Sequence, residues 1–97
     1  MMDDTGHPAR GRLELADLAR LLSECAGDSE GIDMTDPVVL DQDWMDLNYD
    51  SISLIQTTSR IERDYGLQLD EEELGDADTP RRYLDMVNTA LSARAGV

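Results

Sequence analysis

The chain has 97 residues, with 22 acidic side chains set against eight arginines and no lysine, for a formal charge of −14. That length allows one small domain with one modest core, burying roughly 60–65% of the unfolded surface, and no apolar run reaches the roughly 18 residues that cross a bilayer. The charge argues against nucleic acid and anionic membranes as partners and for basic protein surfaces; the single cysteine, Cys25, excludes an intramolecular disulfide framework and suits the cytoplasm.

The charge is uneven along the chain. Residues 1–40 hold nine acids and three arginines, residues 41–78 hold twelve and two, and residues 79–97 hold one and three. Concentration of the negative charge in the middle points to a surface with a role, beyond keeping a small protein in solution.

Residues 1–11 carry Gly6, Pro8 and Gly11 without apolar periodicity and are expected to form a flexible tail; they also lack the apolar core of a secretion signal. The folded domain is expected over 12–95. In LELADLARLLSECAG, Leu15, Leu18, Leu22 and Cys25 recur at helical spacing, with Leu21 and Ala26 widening the stripe and Gly27 ending it. Residues 27–50 read as a long connection, anchored by Ile32, Met34, Val38, Val39, Leu40, Trp44 and Leu47. Trp44 is expected as a core plug.

SISLIQTTSRIERDYG reads as the second helix, with Asp50 as its N-cap and Gly66 as its stop. Leu54, Thr58, Ile61 and Tyr65 share one face, and Ile52, Ile55, Ser59 and Glu62 another. LDEEELGDAD gives a short third helix with acids at its N-terminal end, where the dipole favours them. TPRRYLDMVNTALSARAG opens a fourth helix with Thr79 as N-cap and Pro80 at the first turn, its seam made of Leu84, Val87 and Leu91 beside Tyr83 and Ala90. No strand pattern competes. The expected architecture is all-α: a small four-helix bundle of three long helices and one short one, with a long first loop.

The chemistry gathers at DLNYDSISL, residues 46–54. A serine nucleophile needs a base and oxyanion donors, but His7 is the only histidine and lies in the tail, and no G-x-S-x-G surrounds Ser51. Asp46, Asn48 and Asp50 fit positions 1, 3 and 5 of a calcium loop, but Ser51 stands where glycine is needed and Thr57 where a bidentate glutamate is needed. A self-contained hydrolase and a specific metal loop are therefore rejected. Ile52 and Ile55, off the main seam and ringed by acids, either dock a partner or pack under the first loop.

The segments LARLLSECAG, YDSISL, RIERDYG and TPRRYLDMVN together resemble the acyl carrier proteins of bacterial type II polyketide synthases, over about residues 13–91. The resemblance implies a non-enzymatic carrier whose Ser51, in the motif with Asp50, bears 4′-phosphopantetheine from coenzyme A and holds malonyl and growing polyketide chains as thioesters. It implies as partners a phosphopantetheinyl transferase, a ketosynthase with chain-length factor, a malonyl transferase, and ketoreductase and cyclases, with the carrier itself a monomer. Asp46, Ile52, Ile55, Gln56, Ser59, Glu62 and Arg63 become the docking face, and Leu54, Thr57, Thr58, Ile61, Leu84 and Val87 an acyl-chain pocket. Asn48 replaces a usual glycine, Ile52 a leucine, Trp44 a phenylalanine and Asp70 a proline. The competing readings are an acidic helical binding module without cofactor, and a carrier of fatty-acid or peptidyl chains.

Overall fold

The computed structural model describes residues 12–27 and 31–95, so the expected tail at 1–11 lies outside them. Helix α1 spans Leu15–Ala26, α2 Ser51–Tyr65, α3 Glu71–Asp76 and α4 Pro80–Ala95, with a 3₁₀ turn at Pro37–Asp41 inside the long first connection. No strand occurs among the described residues.

Each helix starts where its sequence offers an acceptor for an orphan amide. The Asp17 carboxylate accepts the Glu14 N–H at 2.9 Å ahead of α1, Asp70 accepts from Glu72 at 2.8 Å in α3, and the Thr79 hydroxyl accepts the Arg82 N–H at 3.2 Å in α4. Asp70, in the place of a proline, thus supplies a cap instead of a rigid turn. Gly66 ends α2 in the left-handed region (φ 67°), which costs a residue without Cβ little.

The apolar faces of the three long helices meet in one core. Leu18, Leu21 and Leu22 come from α1, Ile61 and Tyr65 from α2, and Tyr83, Val87 and Leu91 from α4. Two expectations need correction on this point. The buried line of α4 is Pro80–Tyr83–Val87–Leu91, at spacings of three, four and four, and Leu84 flanks it half-buried, because it sits one residue round the helix from Tyr83. Val38 is 63% exposed, because the 3₁₀ turn points its neighbour Val39 inward instead.

Trp44 holds the long connection to the rest. Its indole N–H donates to the Ala77 carbonyl at 2.9 Å, and its backbone N–H to the Asp78 carbonyl at 3.1 Å. Its ring meets Tyr49 and Tyr83 edge-on, with centroids 6.0 and 5.7 Å apart. At the other end of the bundle the Asn88 side chain clasps Leu13, accepting its N–H at 2.6 Å and donating to its carbonyl at 3.0 Å.

Trp44→Phe keeps most of the ring packing but strands the Ala77 carbonyl, so it is expected to lower the unfolding free energy by about 1–3 kcal/mol in urea titration. Burial pushes the Tyr83 phenol up from 10.0 to about 12. Between those values the unfolded chain has lost a proton that the folded chain keeps, so stability falls as pH rises through that window. A urea midpoint that stays constant from below pH 10 to about 12 would contradict this.

Candidate functional site: the N-terminus of the second helix

The approach to α2 is built residue by residue. Residues 44–48 turn on themselves: Leu47 N–H donates to the Trp44 carbonyl at 3.0 Å, Asn48 N–H to Met45 at 3.1 Å, and Tyr49 N–H to Trp44 at 3.0 Å. Asn48 reverses the chain at φ 66°, the only non-glycine residue with positive φ among those described. Asparagine tolerates this conformation better than most residues, which is how the turn survives without the usual glycine. Tyr49 then drops into the core, and Asp50 and Ser51 emerge into solvent.

Asp50 caps the helix. Its carboxylate accepts the Ser53 N–H at 2.8 Å, and its carbonyl accepts Leu54 N–H at 3.1 Å. Hydrogen bonds from the Ser53 amide, and then from its hydroxyl, hold the Asp50 carboxyl below the usual carboxylate range, so it stays ionised. Ser51 is the first helical residue and is exposed. Helix geometry leaves the amides of this first turn without partners in the helix, and Asp50 satisfies only one of them. A phosphate ester on the Ser51 hydroxyl therefore fits, as an anion at the positive end of a four-turn helix. No basic side chain within the described residues is hydrogen-bonded to Ser51, and no group of three or more His, Cys, Asp or Glu among them converges to hold a metal.

Below Ser51 the helix divides. Ile52 and Ile55 are 66% and 55% exposed, and Gln56, Ser59 and Arg63 continue the same outward strip. The isoleucines do not pack under the first loop. Asp46 is also exposed, as is Met45, at 80%, which sequence reasoning did not single out. Glu62 sits at the edge, half-buried, its carboxylate accepting the Leu69 N–H at 2.8 Å. Arg60 turns away from this strip: it bonds Asp64 at 2.6 Å and Glu24 at 2.9 Å, tying α2 to α1.

The opposite face carries the residues expected to line an acyl pocket. Thr57, Ile61 and Val87 are fully buried, Thr58 is nearly so, and Leu54 and Leu84 are half-buried. Both threonine hydroxyls donate back into their helix, Thr57 to Ser53 at 2.9 Å and Thr58 to Leu54 at 2.6 Å. Thr58 also meets the Tyr83 hydroxyl at 2.7 Å, a pairing that nothing in the sequence pattern announces because 25 residues separate the two. Two cavities lie elsewhere: one of about 330 Å³ between α1 and the first connection, lined by Ala19, Ile32, Met34 and Tyr49, and one of about 310 Å³ between α3 and α4.

Comparison with known proteins bears on this site. The family model described as the phosphopantetheine attachment site matches residues 16–87. The acyl carrier protein of the oxytetracycline polyketide synthase of Streptomyces rimosus is 46% identical over 80 residues, covering 82% of this chain and 83% of that one. The acyl carrier protein of the actinorhodin polyketide synthase of Streptomyces coelicolor is 42% identical over 79 residues, covering 81% and 91%. The solution structure of hexanoyl acyl carrier protein from the actinorhodin synthase superposes with a TM-score of 0.75 at 40% identity, over 84% of this chain and 94% of that one.

The turn before Ser51 gives a direct test of the geometry. Asn48→Gly is expected to leave stability within about 0.5 kcal/mol, whereas Asn48→Val, forcing a β-branched side chain into the left-handed region, is expected to cost about 1–2 kcal/mol. Urea titration of the two variants beside the parent measures both.

Proposed function

Because the chain belongs to the phosphopantetheine-attachment family, among the acyl carrier proteins of type II polyketide synthases, we propose that Ser51 is the residue that bears its 4′-phosphopantetheine. The protein is a carrier and not a catalyst, and it tethers polyketide intermediates. When bound, the group supplies a terminal thiol on which malonyl and growing chains are held as thioesters. The observation that carries the assignment to Ser51 is its place: an exposed hydroxyl at the first residue of α2, capped by Asp50, with no base of its own. The missing base, the Mg²⁺ and the coenzyme A belong to a phosphopantetheinyl transferase.

The strip Ile52, Ile55, Gln56, Ser59, Arg63, together with Asp46 and with Glu62 at its edge, is the docking face in this proposal. Two exposed isoleucines give a small apolar contact, and the carboxylates steer basic surfaces onto it. Such docking is fast and salt-sensitive, which suits a carrier that must also leave. The partners are a ketosynthase with its chain-length factor, a malonyl transferase, and ketoreductase and cyclases that act on the tethered chain, with the carrier a monomer in the cytoplasm. Tethering raises the effective concentration of the chain at each of them. Shelter for the chain is assigned to the face of Leu54, Thr57, Thr58, Ile61, Leu84 and Val87, where the half-buried Leu54 and Leu84 are the side chains nearest to solvent.

Intact-mass spectrometry tests the assignment. Incubation with coenzyme A, Mg²⁺ and a promiscuous transferase is expected to add one phosphopantetheine to the wild-type chain and none to Ser51→Ala. A wild type that gains no mass, or a Ser51→Ala chain that gains it too, overturns the assignment.

A further inference from the structure

Helices α2 and α4 are the two long helices whose backbones stay apart. α2 packs along α1, while α4 packs on the 3₁₀ turn, α3 and α1. The seam between them is crossed by side chains, and its polar crossing is the Thr58–Tyr83 pair, 5% and 0% exposed.

The protons of that pair can be assigned. The Leu54 carbonyl only accepts, and the Thr58 hydroxyl lies 2.6 Å from it, so the one proton of Thr58 goes there. Tyr83 must then donate to the Thr58 oxygen across the 2.7 Å contact. The relay runs Tyr83 O–H to Thr58 O–H to Leu54 C=O. Both hydroxyl protons are spent within it. What remains unused, on a fully buried side chain, is the acceptor capacity of the Tyr83 oxygen.

We infer that the Tyr83–Thr58 relay is a specificity element for the tethered chain, favouring one that brings an alcohol hydroxyl over a ketone or a plain alkyl chain. The inference rests on the reading of this face as the chain's shelter. A chain hydroxyl can donate to the Tyr83 oxygen and leave the relay intact. A ketone oxygen offers only lone pairs, so it is satisfied only if Tyr83 withdraws its proton from Thr58, exchanging one hydrogen bond for another without gain. An alkyl chain makes no such bond. The favoured cargo is thus the product of a ketone reduction.

The test compares butyryl, 3-oxobutyryl and 3-hydroxybutyryl chains of equal length on the pantetheine-bearing protein. Two readouts are followed: the NMR shifts of Thr58 and Tyr83, and the rate of thioester cleavage by hydroxylamine relative to the same chain on free pantetheine. The hydroxy chain is expected to move both residues' signals and to survive about fivefold longer than the other two, the scale of one neutral hydrogen bond. Tyr83→Phe, which keeps the ring against Trp44, is expected to abolish the difference. Thr58→Val takes away the acceptor of Tyr83 and frees its proton for a ketone or an alcohol oxygen alike, so the advantage of the hydroxy chain over the 3-oxo chain should disappear. Equal protection of the three chains in the wild type overturns the inference, as does an unchanged preference in either variant. A protein that takes up no pantetheine at Ser51 overturns both this inference and the carrier assignment; one that is loaded but does not discriminate overturns this inference alone.

Discussion

The position of Ser51 depends on Trp44. Among the described residues between α1 and α2 there is no regular helix longer than one 3₁₀ turn, and such a connection keeps a single path only if something fixes it from within. The indole does so in two directions. Its N–H and its backbone amide take the carbonyls of Ala77 and Asp78, just before α4, and its ring edges meet Tyr49 and Tyr83. The last turn of the connection is therefore pinned to the segment before α4 four residues before Asn48 reverses it. α3 buries no residue fully along its six; half-buried Leu74 packs on the core, the helix lies against α4, and the linker that Trp44 grips fixes its far end.

Once that turn is fixed, α2 has no freedom to choose its faces. Tyr49 goes in, Asp50 caps, and the rotation of the helix follows from there: Thr57, Thr58, Ile61 and Tyr65 inward, Ile52, Ile55, Gln56 and Ser59 outward. Two threonines on an inward face would be costly if their hydroxyls went unpaired. Both are satisfied by their own helix, and Thr58 is joined by Tyr83. The Tyr65 hydroxyl, at the end of the same face, has no such partner among the described residues. The polarity of the inner face is thus uneven, with a closed relay in the middle and an unpaired phenol at the end.

Local features were legible in the sequence. The caps at Asp50 and Thr79, the stop at Gly66 and the strain-tolerant Asn48 each depend on residues within a few positions, where propensity and stereochemistry act directly. The two faces of α2 followed from spacing, because period alone decides them. The missed features depend on what lies across the bundle. Val38 and Val39 are equivalent by hydropathy, and only the 3₁₀ turn separates them. Leu84 and Tyr83 are adjacent on one helix, and the aromatic pocket made by Trp44 selected the tyrosine for the centre. Arg60 bonds Asp64 four residues on and also Glu24 on another helix, and that second partner is one no local spacing announces.

The arginines shape how the negative charge is distributed over the described surface. Among the described residues, Arg12, Arg20, Arg60, Arg63, Arg81 and Arg82 each lie within 4 Å of a carboxylate, at Glu14, Glu24, Asp64, Asp41 or Asp78. Exposed pairs of this kind add little stability. They neutralise part of the surface, while Asp46 and Asp50 before Ser51, Asp70 with Glu71, Glu72, Glu73 and Asp76 of α3, and also Asp17, Asp33, Asp36, Asp43, Glu62 and Asp85, make no ion pair among the described residues. A net charge of −14 spread evenly would attract any basic surface at any angle. The unpaired acids are densest from the first connection through the entrance of α2 to α3, so in the proposed docking a basic partner is oriented toward this side of the molecule. Within about one Debye length that orientation becomes specific, and beyond it salt erases it.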